Sequence, residues 1–171
     1  MESLLGLGFE TSLISDAVIA QSETQAAQLL AIREYMSEGQ KFLGGSIKFD
    51  ITVPLNDIPA FLEKAGAAVQ AQIPSCRPAA FGHFGDGNIH YNISQPEGAD
   101  KEAFLAQWQA LSETVFDITE SFGGSISAEH GIGTMKKDDL ARRADPVKMA
   151  LLKTLKQSLD PQNIMNPRVM L

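Results

Sequence analysis

The chain has few of the groups that would sort a 171-residue protein quickly. Its one cysteine, Cys76, excludes an internal disulfide framework and a thiolate metal cluster, and fits a reducing, cytoplasmic setting. It lacks a basic excess: 14 Lys+Arg stand against 21 Asp+Glu, a formal charge of -7, which argues against a nucleic-acid partner. The N-terminus carries Glu2, Glu10 and Asp16 with no early Lys or Arg, unlike a secretory signal. No apolar run approaches the ~20 residues of a transmembrane segment. Repeats, low-complexity tracts and an interdomain linker are absent. Histidine is scarce as well, and all three, His83, His90 and His130, fall in two glycine-rich stretches.

The remaining pattern is that of a mixed fold. Residues 1–15 form a poorly patterned arm, and 17–21 reads as a short strand. Ser22 and Gln25 have capping-box spacing, predicting a helix over 23–36 with Leu29, Ile32 and Met36 on one face. Ile47, Phe49, Ile51 and Val53 alternate as a half-buried strand closed by Pro54. Ile58, Phe61, Leu62, Ala65 and Val69 set a helix over 56–72. Strands are expected at 79–84 and 89–94. A second helix after Asp100 carries the stripe Phe104, Trp108, Leu111, Val115, Ile118 and Phe122 and stops at Gly123-Gly124, before a strand at 125–128. This strand–helix–strand–strand–helix–strand order predicts an α+β fold. It is a ferredoxin-like antiparallel sheet with helices packed on one face, plus a C-terminal helical segment capped by Asp145-Pro146 and ended by Asp160-Pro161.

Two stretches carry the candidate chemistry. In FGHFGDGNIHYN (81–92), Asp86-Gly87 reads as a two-residue hairpin turn, which would set His83 opposite His90. Opposed side chains share a face with Cβ atoms roughly 4.5–5.5 Å apart, so two imidazoles could share a divalent metal, with Asn92 on the same side. The same hairpin also accommodates histidines that hydrogen-bond each other or the backbone. In SISAEHGIG (125–133), Glu129 and His130 end the last strand. A carboxylate joining two imidazoles would complete a three-ligand set with an open position, the pattern of a catalytic metal. Taken alone, this stretch also fits a solvated loop at a helix start.

GHFGDGNIHYN, SAEHGIG and the closing LDPQNIMNP resemble the C-terminal domain of FAD-linked D-2-hydroxy-acid dehydrogenases, from about Asp16 to the C-terminus. That group includes D-lactate dehydrogenases, the glycolate oxidase flavin subunit and D-2-hydroxyglutarate dehydrogenases. The resemblance implies that 16–171 is a ferredoxin-like substrate- and metal-binding cap. Residues 1–15 would then be an N-terminal arm or a remnant of the junction to an N-terminal FAD-binding domain. It implies His83, His90 and Glu129 as ligands of zinc or manganese, and His130 as the general base beside the substrate hydroxyl. Arg33 and Lys48 match the residues that take substrate carboxylate, Asn92 a substrate-contacting amide, Ser37 a hydroxyl position, and Asn166 the asparagine at the flavin.

The implied reaction is oxidation of a D-2-hydroxy acid to a 2-oxo acid with hydride transfer to FAD. A Lewis-acidic metal and an imidazole base would ease loss of the hydroxyl proton. The partners implied are a small 2-hydroxy acid, the FAD-binding domain and an electron acceptor; a homodimer is compatible. The chain departs from the pattern by lacking room for the FAD domain, so that alone it is expected to be inactive. It departs again in carrying Arg168 after Pro167, where many relatives have glycine. Asn92 and Ser37 favour a dicarboxylate such as hydroxyglutarate or malate. The alternatives are a non-catalytic ferredoxin-like module binding carboxylate or metal, and a metal-dependent hydrolase using the same histidines and glutamate.

Overall fold

The computed structural model describes residues 1–169 and 171, Ser37 through its backbone only. It divides into two compact units, Met1–Phe42 and Leu43–Leu171. The first is helical: α1 (Glu2–Glu10), α2 (Glu23–Glu34) and the short α3 (Met36–Gly39). Ser22 caps α2 by accepting the Gln25 N–H at 3.2 Å, as the capping-box spacing predicts. Gln25 Oε1 in turn accepts from the Gln21 N–H at 2.7 Å, one residue before the cap. Two expectations fail here. The arm forms α1, and 17–21 carries no strand.

The second unit is built on β1 (Ser46–Thr52), β2 (Arg77–Phe81) and β3 (Asn88–Ser94), antiparallel in the order β1-β3-β2. Its helices are α4 (Ile58–Gln72), α5 (Lys101–Leu105), α6 (Trp108–Ser121), α7 (Lys137–Arg143) and α8 (Pro146–Leu159). Strand alternation divides the sheet into two faces. Ile47, Phe49 and Ile51 of β1 and Ile89, Tyr91 and Ile93 of β3 are buried in the core with Phe61, Ala65 and Val69 of α4 and Leu111, Val115 and Phe116 of α6. Edge-on ring contacts join the layers: Phe49 to Phe116 at 5.6 Å and Phe61 to Tyr91 at 5.8 Å. Lys48, Asp50, Asn88, His90 and Asn92 alternate to the opposite, polar face. This is the α+β arrangement expected, with α4 and α6 on one side of an antiparallel sheet.

The fourth strand contracts to one bridge, Thr52 with Ser125, closed by N–H···O bonds of 3.0 and 2.9 Å. The chain reaches it through Gly124, where a Cβ would lie 2.1 Å from the Thr52 carbonyl oxygen. Beyond Ser125 the Ala128 N–H is shared between the Asp50 main-chain carbonyl at 3.3 Å and the Asp50 carboxylate, which also takes the N–H groups of Glu129 and His130. The second stripe helix is also divided, into α5 and α6, and Gly123 supplies the left-handed stop at φ +71°. Asp145 caps α8 through the Val147 N–H at 2.8 Å. Among the described residues no helix is long and apolar enough to cross a membrane.

Candidate functional site

The site lies on the polar face, where β1 and β3 pair in a register that sets Asp50 opposite His90 and Lys48 opposite Asn92. Across β2, His90 faces Phe81, whose ring lies 5.3 Å away. The two-residue hairpin is therefore incorrect, and His83 does not face His90 across the sheet. After Phe81 the chain runs through Gly82 and His83 into a 3-10 turn, Phe84–Asp86, and returns at Gly87, φ +70°. The wider loop follows from the Gly87 carbonyl accepting the Val53 N–H at 3.1 Å, which ties the turn to the end of β1. A Cβ at Gly87 would lie 2.4 Å from the Val53 oxygen, so only glycine fits.

The loop still brings His83 beside Glu129. Its Nε2 is 3.7 Å from Glu129 Oε2, and His90 Nε2 is 3.0 Å from Glu129 Oε1. One carboxylate thus lies between two imidazoles whose centroids are 6.1 Å apart. His130 stacks on His90, centroids 5.6 Å apart and planes 21° from parallel. The His90 side chain is largely buried at 17% exposure, whereas those of Glu129 and His130 are 48% and 66% exposed and open to a ligand.

Beneath them is Asp50, its side chain 1% exposed. Oδ2 accepts the N–H groups of Ala128, Glu129 and His130 at 3.1, 3.0 and 2.8 Å, and Oδ1 accepts the Asn88 amide at 2.9 Å. Burial pushes this carboxyl up, but the His130 N–H and the Asn88 amide, with the charge of His130 and the Ala128 N–H, hold it below the usual carboxylate range. Asp50, His90, Glu129 and His130 each present a ligand atom within 4.8 Å of the others. His83, expected as a ligand, is not one of these four, and Asp50 and His130 stand in the group instead. The imidazole and carboxylate donors suit zinc or manganese, so the residues present fit a divalent ion.

Lys136 closes the floor. Its ammonium donates to the Ile126 carbonyl at 2.8 Å and lies 3.4 Å from that of Asp50. Burial lowers its pKa against the opposing pull of Asp50 and Asp139. Beside the cluster opens a cavity of about 460 Å³, lined by Lys48, Asp50, Trp108, His130, Thr134 and Lys136 among others. That volume suits a small-molecule site.

The other residues singled out in the sequence are distributed differently. Lys48 is exposed and Asn92 buried on the site face, one pleat along from Asp50 and His90. Arg33 belongs to the first unit, half exposed and paired with Glu34 at 2.9 Å. The Ser37 side chain lies outside the described residues. Asn166 is exposed at φ +47° in the C-terminal turn and makes no described contact with the cluster. Asp50 and Lys136 were not singled out. Pairing the 47–53 strand with the one holding His90 would have exposed Asp50, because both fall at outward positions; Lys136 leaves no comparable signal.

The class defined is an α+β sheet domain that carries, beside a cavity, two histidines and two carboxylates placed so that they could hold a metal. Residues 2–170 match the family model described as FAD linked oxidases, C-terminal domain, and the chain belongs to that family. It is 39% identical over 158 residues to a D-2-hydroxyglutarate dehydrogenase of Stutzerimonas stutzeri, covering 92% of this chain and 34% of that protein. The corresponding Xanthomonas citri protein is 37% identical over 163 residues, covering 93% and 34%. A mitochondrial D-2-hydroxyglutarate dehydrogenase of Arabidopsis thaliana is 35% identical over 167 residues, covering 98% and 28%. The chain spans about a third of the length of these relatives.

Proposed function

We propose that this chain supplies the substrate- and metal-binding half of an FAD-dependent dehydrogenase that oxidises a D-2-hydroxy acid to a 2-oxo acid. A separate N-terminal domain would hold the flavin that accepts the hydride. The observation that carries the reading is the Glu129 carboxylate between His90 and His83 with His130 stacked alongside, in a chain of this family. The relatives' names favour D-2-hydroxyglutarate as substrate. The compartment proposed is cytoplasmic or, as in the Arabidopsis relative, mitochondrial.

His83, His90 and Glu129 would hold zinc or manganese, which when bound supplies Lewis acidity toward a hydroxyl oxygen. His130 turns Nδ1 toward Asp50, 3.9 Å away, leaving Nε2 to receive the hydroxyl proton. Histidine suits that step because its charge changes in the physiological pH range. Lys48, on the cavity wall, would meet a carboxylate as a point charge, and Arg33 would grip one through its planar fork. Asn92 and Ser37 would add polar contacts along the substrate and Asn166 would lie at the flavin.

The test is reconstitution. The chain is mixed with the flavin-binding region of the Stutzerimonas relative, and D-2-hydroxyglutarate-dependent reduction of a dye is followed. Oxidation by the mixture and by neither part alone is expected. A mixture of two folded parts that stays inactive, or ester hydrolysis by the chain alone, would overturn the reading.

A further inference from the structure

Asp50 is one of the two carboxylates of the cluster, with Glu129, and its oxygens are already engaged. An ionised carboxylate offers about four acceptor positions. Three consecutive backbone N–H groups converge on Oδ2 and the Asn88 amide takes Oδ1, all between 2.8 and 3.1 Å. With a 1% exposed side chain and four donors on its two oxygens, the group is turned toward the protein rather than toward a ligand. What it touches is the backbone that carries Glu129 and His130. Its Oδ1 also lies 3.6 Å from His90 Nδ1, on the side of the ring away from the Nε2 that meets Glu129.

We infer that Asp50 is the positioning residue of this centre. From β1 it pins residues 128–130, which fixes where Glu129 and His130 project, and it keeps His90 Nδ1 facing inward so that Nε2 faces the ligand position. This rests on the metal-centre reading above and goes beyond it by separating Asp50 from the ligands, although its oxygen falls within the same 4.8 Å cluster. The requirement is chemical. A loop with two exposed functional side chains pays ordering entropy unless its backbone is tied down, and a buried anion meeting three successive amides does that without placing a side chain in the cavity. Carboxylates behind ligating histidines play the same part elsewhere: they fix the tautomer, and their loss costs ten- to a hundredfold in metal affinity.

The experiment compares the 171-residue chain with Asp50→Asn, which keeps the shape and removes the charge. Zinc affinity is measured by competition with a chromophoric chelator, cobalt-substituted spectra report coordination, and amide hydrogen exchange is read at residues 128–130 in the metal-free chain. The expected result is zinc binding weakened about ten- to a hundredfold, an unchanged cobalt band pattern, and faster exchange at 128–130. Unchanged affinity with unchanged exchange, or a cobalt spectrum showing a lost ligand, would overturn the inference. If Asp50→Asn does not fold, Asn88→Ala decides. Removing the donor to Oδ1 should weaken zinc severalfold without altering the cobalt bands, and no effect on zinc rejects the role. A wild-type chain that takes up no zinc would sink the metal-centre reading itself, while the exchange comparison still decides whether Asp50 holds the loop.

Discussion

One added methyl group should damage both the sheet edge and the site. In Gly124→Ala the new Cβ falls 2.1 Å from the Thr52 oxygen, 2.8 Å from Thr119 Cγ2 and 2.9 Å from the Thr119 oxygen. Carbon and carbonyl oxygen do not normally approach closer than about 3.3 Å, so backbone must move by more than about 1 Å. The strand edge and the end of α6 lie on both sides of it, and the element left to yield is the 124–127 segment, ahead of the residues tied to Asp50. That movement opens both N–H···O bonds of the Thr52–Ser125 bridge, now 3.0 and 2.9 Å. At about 1 kcal/mol net for each bond, the expected loss is about 2 kcal/mol, or about 7 °C in melting temperature for a unit of this size. Because Ser125 leads directly into Glu129 and His130, zinc affinity should fall about tenfold in the same variant. Thermal melting by circular dichroism and a zinc titration read the two effects. A melting temperature within about 1 °C of wild type would refute the steric argument, and lower stability with unchanged zinc affinity would refute the link from the bridge to the site.

Core damage should separate from site damage. Phe61 is fully buried against Tyr91 and Phe122, so Phe61→Ala should cost about 3–5 kcal/mol by denaturant unfolding, with zinc stoichiometry retained in the folded fraction. Asp160 is held below the usual carboxylate range by Lys156 and by the N–H groups of Met165 and Ile164. A depressed folded-state value stabilises above the unfolded value and is lost as pH falls through the folded one. Asp160→Ala should therefore flatten the acid limb of the stability profile, and an unchanged limb would reject that assignment. In the reconstituted enzyme, Lys48→Ala should raise KM about tenfold or more with kcat retained, as loss of a charged hydrogen bond of about 1.5–3 kcal/mol implies. A fall in kcat at constant KM would place Lys48 elsewhere.

Local signals in the sequence carried well where local physics decides. Ser22 and Asp145 cap the helices their spacing marks, and the apolar periods that begin at Ile58 and Phe104 produce the helices that cover the sheet. The alternation at Ile47–Val53 also separated core from polar face. What failed depends on partners distant in sequence. His83 left the hairpin because Gly87 is tied to Val53, more than thirty residues earlier. The strand expected at 125–128 is reduced to one bridge, and the end of that segment is held by a carboxylate on β1, seventy-eight residues before Ala128. Asp50 itself looked like any outward residue of a half-buried strand until its register with His90 was known. Residue types and motif marked His90, Glu129 and His130, which the fold brings together, while Asp50, the fourth member of that group, was not legible and His83 falls outside it.

The metal centre requires His83, His90 and Glu129 to act together on one ion, although His83 arrives from a loop and stands 3.7 Å from Glu129. Zinc-edge X-ray absorption of the zinc-loaded chain, with His83→Ala and His90→Ala beside it, tests this directly. One zinc per chain with two coordinated imidazoles is expected for the wild type, and loss of stoichiometric zinc in either variant. Unchanged stoichiometry and imidazole count in His83→Ala, or a wild type that binds no zinc, would contradict it.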